Sequence, residues 1–119
     1  MPQGKSAAVK DNKMFTVSQN DYGYYITDTL LNNDGTVFDL TSYTDVQFHV
    51  WHASQPGTLL VNGTASVVAP TLGTVRYFVA QADFTIPAGA YKQEWEATLS
   101  GCKQSFPTAG NTIIVQESP

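Results

Sequence analysis

Residues 73–99, GTVRYFVAQADFTIPAGAYKQEWEATL, constrain the fold of this chain more than any other stretch. Val75, Tyr77 and Val79 alternate with Thr74, Arg76 and Phe78, the period-two pattern of a half-buried strand. A polar connection containing Pro87 and Gly89 follows, and then the same period returns. Tyr91, Trp95, Ala97 and Leu99 fall on one face, with Lys92, Glu94, Glu96 and Thr98 on the other. Such separation places one face on a core and the other in water. The connection ends in Ala88, Gly89, Ala90 and Tyr91, the local signature of a tyrosine corner. In that device a Tyr opening a strand bonds back to the backbone of the preceding turn of a β-sandwich.

The rest of the chain repeats the theme. Residues 14–18 are expected to form an edge strand, and residues 19–23 a turn. Over residues 24–31, Tyr24, Ile26 and Leu30 share one face while Thr27 and Thr29 take the other. Asn33, Asp34 and Gly35 accept positive φ and mark a tight reversal into a short strand at 36–40, with Val37 as its apolar member. In residues 45–53, Val46, Phe48 and Val50 alternate with Gln47, His49 and Trp51. The aliphatic set belongs to the core, which puts His49 and Trp51 on the opposite face. Residues 59–68 read as strand interrupted at Asn62 and Gly63. A last strand runs over 104–106, breaks at 107–110 and resumes over 111–115. About eight short strands with no helical period define an all-β domain, a sandwich or barrel. The expected organisation is an extended, flexible basic arm at 1–13, one β-domain at 14–115 and a short tail at 116–119.

Composition narrows the function. With 119 residues, 42% of them hydrophobic and 13% charged, the chain has enough apolar matter for one core. No apolar run approaches the roughly 20 residues that span a bilayer, so no membrane partner is expected. The first 13 residues hold no apolar segment of the secretory kind, and the one cysteine, Cys102, cannot form an internal disulfide. Both features predict a reducing, cytosolic place of synthesis. A net charge of −4 argues against nucleic acid as partner. The charge is uneven: Lys5, Lys10 and Lys13 against Asp11 leave the arm positive, while the remainder is strongly acidic. A basic arm on an acidic body could help neighbouring subunits meet, or could be no more than a solvated tail.

No constellation of catalytic residues is legible. His49 and His52 are three apart on a strand and point to opposite faces, so they cannot chelate one metal. Glu94 and Glu96 share a face and could hold a cation or act as a carboxylate pair, but beside Lys92 they read first as a solvated surface. Cys102 has no base near it in sequence, as a nucleophile requires. Neither a nucleophile elbow, a phosphate loop nor a dinucleotide fingerprint occurs. The chain is expected to be no enzyme and to carry no metal or cofactor. Trp51 stands out, because an outward Trp either packs beneath a neighbouring loop or anchors a protein contact. Together with Tyr22, Tyr25 and Tyr43 it could also offer stacking platforms to a sugar.

Four pieces in order carry a family resemblance: YYITDTLL (24–31) running into DGTVFDLT (34–41); DVQFHV (45–50); GTVRY (73–77) with Asp83, AGAY (88–91) and Trp95-Glu96; and Phe106-Pro107 before TIIV (112–115). In this the chain resembles the N-terminal domain family of phage baseplate upper proteins, across residues 14–115. The resemblance implies an immunoglobulin-like antiparallel β-sandwich of a tailed-phage virion, assembled in the bacterial cytoplasm. Its partners would be other virion structural proteins, with Lys5, Lys10, Lys13 and Trp51 as candidate contacts. A basic or polar residue is usual in that family where Trp51 stands, which marks this surface as adapted to a particular neighbour. The alternative is a carbohydrate-binding adhesion module on the virion surface.

Overall fold

A computed structural model describes the backbone of residues 8–9 and 15–118, and the side chains of 15–107 and 111–118. The strands, in chain order, are β1 (Ala8–Val9), β2 (Phe15–Ser18), β3 (Tyr25–Leu31), β4 (Asp45–His52), β5 (Leu59–Thr64), β6 (Ser66–Ala69), β7 (Thr74–Phe78), β8 (Gly89–Leu99) and β9 (Cys102–Gln116). A 3-10 turn, Pro70–Leu72, joins β6 to β7. Two sheets form: a four-stranded one in the order β1-β3-β7-β6, and a five-stranded one in the order β2-β9-β8-β4-β5. All pairings are antiparallel except β2 with β9. The chain is an all-β sandwich, as its alternation predicts.

The core lies between the sheets and is built from the expected alternate positions. Val46, Phe48, Val50, Tyr91, Trp95 and Ala97 are buried from the five-stranded side, and Ile26, Leu30, Val75 and Tyr77 from the four-stranded side. Phe48 stacks on Tyr77 across the gap, with ring centroids 4.8 Å apart, and touches Trp95 at the same distance. The Trp95 indole donates to Asp28 Oδ2 of the opposite sheet at 3.2 Å, which satisfies a polar atom otherwise stranded in the core. The tyrosine corner is present. Tyr91 hydroxyl donates to the Pro87 carbonyl at 2.5 Å, and burial pushes that phenol above its usual range, so it stays a donor.

Five local expectations need correction. One of the nine strands among the described residues lies inside the expected arm: Ala8–Val9 pairs with Leu31 and Leu30 of β3. Asn62 and Gly63 do not interrupt a strand; they lie within β5, and the break falls at Ala65. Gly63 faces inward opposite Phe48, and the Tyr77 ring fills the space a Cβ would need. Glycine is there for close approach to that ring, not as a strand break. Residues 36–40 form only a single bridge, Leu31 with Val37. Asn32 and Asp34 side chains take up the Thr36 and Val37 backbone groups there, in place of a ladder. The apolar face is reversed too, since Val37 is exposed while Leu40 is buried and Phe38 packs against Phe106. Finally, β9 continues through 107–110 rather than breaking. Trp95 pairs with Phe106 and Gln93 with Asn111, so residues 107–110 bulge opposite Glu94.

Gly73 closes the joint between the 3-10 turn and β7. Its φ of +67° is left-handed, and an added Cβ would lie 2.7 Å from the Leu30 carbonyl and 2.8 Å from that of Phe38. That close approach lets the Gly73 carbonyl accept the Leu30 N–H at 2.8 Å.

Candidate binding face

The outer face of the five-stranded sheet gathers most of the chemistry-bearing side chains. β4 runs against β8 in unbroken register from Asp45–Thr98 to His52–Tyr91. Paired residues share a face, so the core pairs Val46–Ala97, Phe48–Trp95 and Val50–Gln93 alternate with outward pairs. Those outward pairs are Gln47–Glu96, His49–Glu94 and Trp51–Lys92. β5 extends each row with Thr64 beside Gln47, Asn62 beside His49 and Leu59 beside Trp51. Three rows result, polar at one end and apolar at the other.

The middle of this face is a hydrogen-bonded cluster. His49 Nδ1 lies 3.0 Å from Glu94 Oε2, and one ligand atom each from His49, Glu94 and Glu96 lie within 4.8 Å of one another. His49 is outward but only 7% exposed, while both glutamates are half-buried. Lys103 Nζ, on β9, stands 3.7 Å from Glu96 Oε2. His49 and His52 point to opposite faces, as expected: His52 sets its ring edge against Tyr91 and bonds Ser54. The approach of His49 to the two carboxylates is not among the expectations from sequence. The signal that could have found the cluster is the shared outward parity of His49 with Glu94 and Glu96, once β4 is paired with β8.

Trp51 is on the outward face, as expected, and half-buried. It neighbours an apolar edge, because Leu59 and Leu60 of β5 are 39% and 40% exposed. The tyrosines proposed as platforms do not join it. Tyr25 lies on the other sheet, edge-on to Phe78 at 5.1 Å, with the Arg76 guanidinium 4.0 Å above its ring. Tyr22 is exposed in the turn that precedes β3. Tyr43 is half-buried against Phe38. Lys5, Lys10 and Lys13 lie outside the described residues. Cys102 is exposed.

No protein-family model matches the sequence, and no curated protein does. Among solved structures the chain is similar to the endo-beta-1,4-mannanase from Thermotoga petrophila, with a TM-score of 0.57 at 9% identity. The match covers 98% of this chain and 20% of the mannanase chain. At that identity the likeness is one of fold. The chain spans about a fifth of the length of that structure.

Proposed function

We propose that this protein is a structural component of a tailed-phage virion, a rigid sandwich that works by binding other virion proteins. The observation that carries the reading is the apolar edge at β5. Trp51, Leu59 and Leu60 stand together on the outward side and edge of the sheet. An edge strand offers unpaired backbone groups to a neighbour, and Trp is the residue type most enriched at binding hot spots. The family resemblance supports it as well, because its four pieces fall on successive parts of one sandwich with a Tyr91 corner. We also read the sandwich as immunoglobulin-like: β1-β3-β7-β6 facing β2-β9-β8-β4-β5 is the strand arrangement of that class with a split first strand. The arm lysines then act as a second contact with an acidic neighbour.

The test uses particles that lack the protein. Saturable rebinding of the purified chain, weakened by Leu59→Asp or Trp51→Ser, supports the reading. Replacing Lys5, Lys10 and Lys13 by Ser tests the arm without removing β1. A chain that ignores particles sinks it.

One observation favours a second reading, a carbohydrate-binding module. Trp51 ends an outward array holding Asn62, His49, Glu94 and Gln47, which offers a stacking platform beside amide, imidazole and carboxylate groups. The fold likeness to a module of a mannanase is in keeping with it. Host polysaccharide titrated against tryptophan emission decides it. Trp95 is fully buried, so a change abolished by Trp51→Phe reports stacking on this face, and no change with any glycan removes the reading.

A further inference from the structure

We propose that His49, Glu94 and Glu96 form a binding site for a divalent transition ion of the zinc class, independently of which partner the protein binds. The donor set is one imidazole and two carboxylates, each contributing an atom within 4.8 Å of the others. A tetrahedral zinc ion with ligands at about 2.0–2.2 Å holds its donors roughly 3.3–3.6 Å apart. His49 Nδ1 and Glu94 Oε2, at 3.0 Å, are already near that spacing. The remaining gap closes by a turn of the Glu96 side chain, whose ion-pair partner is the 64% exposed amine of Lys103.

The frame around these donors is stiff. His49 and Glu94 are paired residues at the centre of β4 and β8, and β8 is held on its other side by β9. The imidazole is buried on a face that otherwise meets water, so its orientation is set before an ion arrives. The β9 bulge sits opposite Glu94, where regular pairing would otherwise continue. Chemistry selects the ion. Calcium and magnesium take oxygen ligands, whereas imidazole suits zinc, cobalt, nickel and copper. Three protein donors leave a fourth position open toward solvent, as in zinc sites that accept an outside ligand. An ion there also relieves the repulsion of two carboxylates two residues apart on one strand.

The experiment is titration of the chelator-stripped full chain with zinc by calorimetry and with cobalt by visible absorption. One ion per chain is expected. His49→Gln should weaken binding at least about 100-fold and Glu96→Gln about 10-fold, with the fold unchanged by circular dichroism. Lys103→Ala should tighten binding up to about fivefold by releasing Glu96, an effect a merely structural cluster would not give. If His49→Gln fails to fold, Glu94→Gln and Lys103→Ala carry the test through opposite changes in affinity. Binding that survives loss of His49 or Glu94, that vanishes instead with His52→Ala or Cys102→Ser, or that is equally tight for calcium overturns the proposal. So does the lack of any binding.

Discussion

Strands β4 and β8 carry two surfaces of opposite chemistry on the same backbone. Inward stand Val46, Phe48, Val50, Tyr91, Trp95 and Ala97, each 4% exposed or less. Outward stand Gln47, His49, Trp51, Lys92, Glu94 and Glu96. The inner surface is apolar, close-packed and intolerant of change in volume; the outer one is polar and holds the candidate site. One inner position breaks the pattern. Gln93 is fully buried, yet among the described residues neither its amide nitrogen nor its oxygen has a hydrogen-bond partner. The difference teaches that stability and function are divided residue by residue along these strands, so that mutations two backbone steps apart should act alike and adjacent ones should not.

The sharpest way to break that division is at its centre. Phe48→Ala empties a fully buried position that stacks on Tyr77 and meets Trp95, and should cost about 3–5 kcal/mol by denaturant unfolding. Its neighbour His49→Gln should cost about 1 kcal/mol, the scale of one hydrogen bond. Equal losses at both would mean that the outer cluster is a second core. Next in size is Gln93→Met. It keeps the volume and removes an unpartnered amide, and should raise stability by about 1–2 kcal/mol. A loss instead would show that the amide is satisfied in solution and that Gln93 belongs with the functional residues.

A third test uses pH. Burial first, and then its hydrogen bond to Asp83, raise the Tyr77 phenol well above its ordinary value. Its contribution is therefore complete below the unfolded value near pH 10 and is lost as pH rises toward the folded one, because the unfolded chain ionises first. Thermal unfolding between pH 9 and 12 should show that fall, and Tyr77→Phe should flatten it. An unchanged slope would place the alkaline loss elsewhere, with Tyr24, Tyr43 and Tyr91, all raised chiefly by burial, as the remaining contributors. The smallest effect is expected at Trp51→Ser, within about 1 kcal/mol in the isolated chain. A larger loss would mean that the indole is part of the fold rather than a contact kept for a partner.

Much of the fold was legible because its signals are local. Period two identified β3, β4, β7 and β8 and sorted their faces, since each residue's side is set by its own backbone step. Tyr91 after Ala88, Gly89 and Ala90 announced the corner. In each misreading a residue outside the pattern overrode the local signal. Gly63 looked like a break in a strand, but the ring it makes room for lies fourteen positions away at Tyr77. Val37 looked like a core residue in a strand, but Asn32 and Asp34 claimed the backbone of that segment and turned Phe38 and Leu40 inward instead. Pro107 suggested a break, and β8 is long enough to carry β9 past it.

By itself, then, the sequence determined the class of fold, the faces of the principal strands and the outward placing of Trp51, because alternation needs no partner to be read. Tertiary structure decided the order of strands in each sheet, the parallel pairing of β2 with β9, and the register of β4 on β8. That register brought His49 to Glu94 across 45 positions of sequence. No period within either strand encodes it, since a slip of two residues would keep every face and still part the pair.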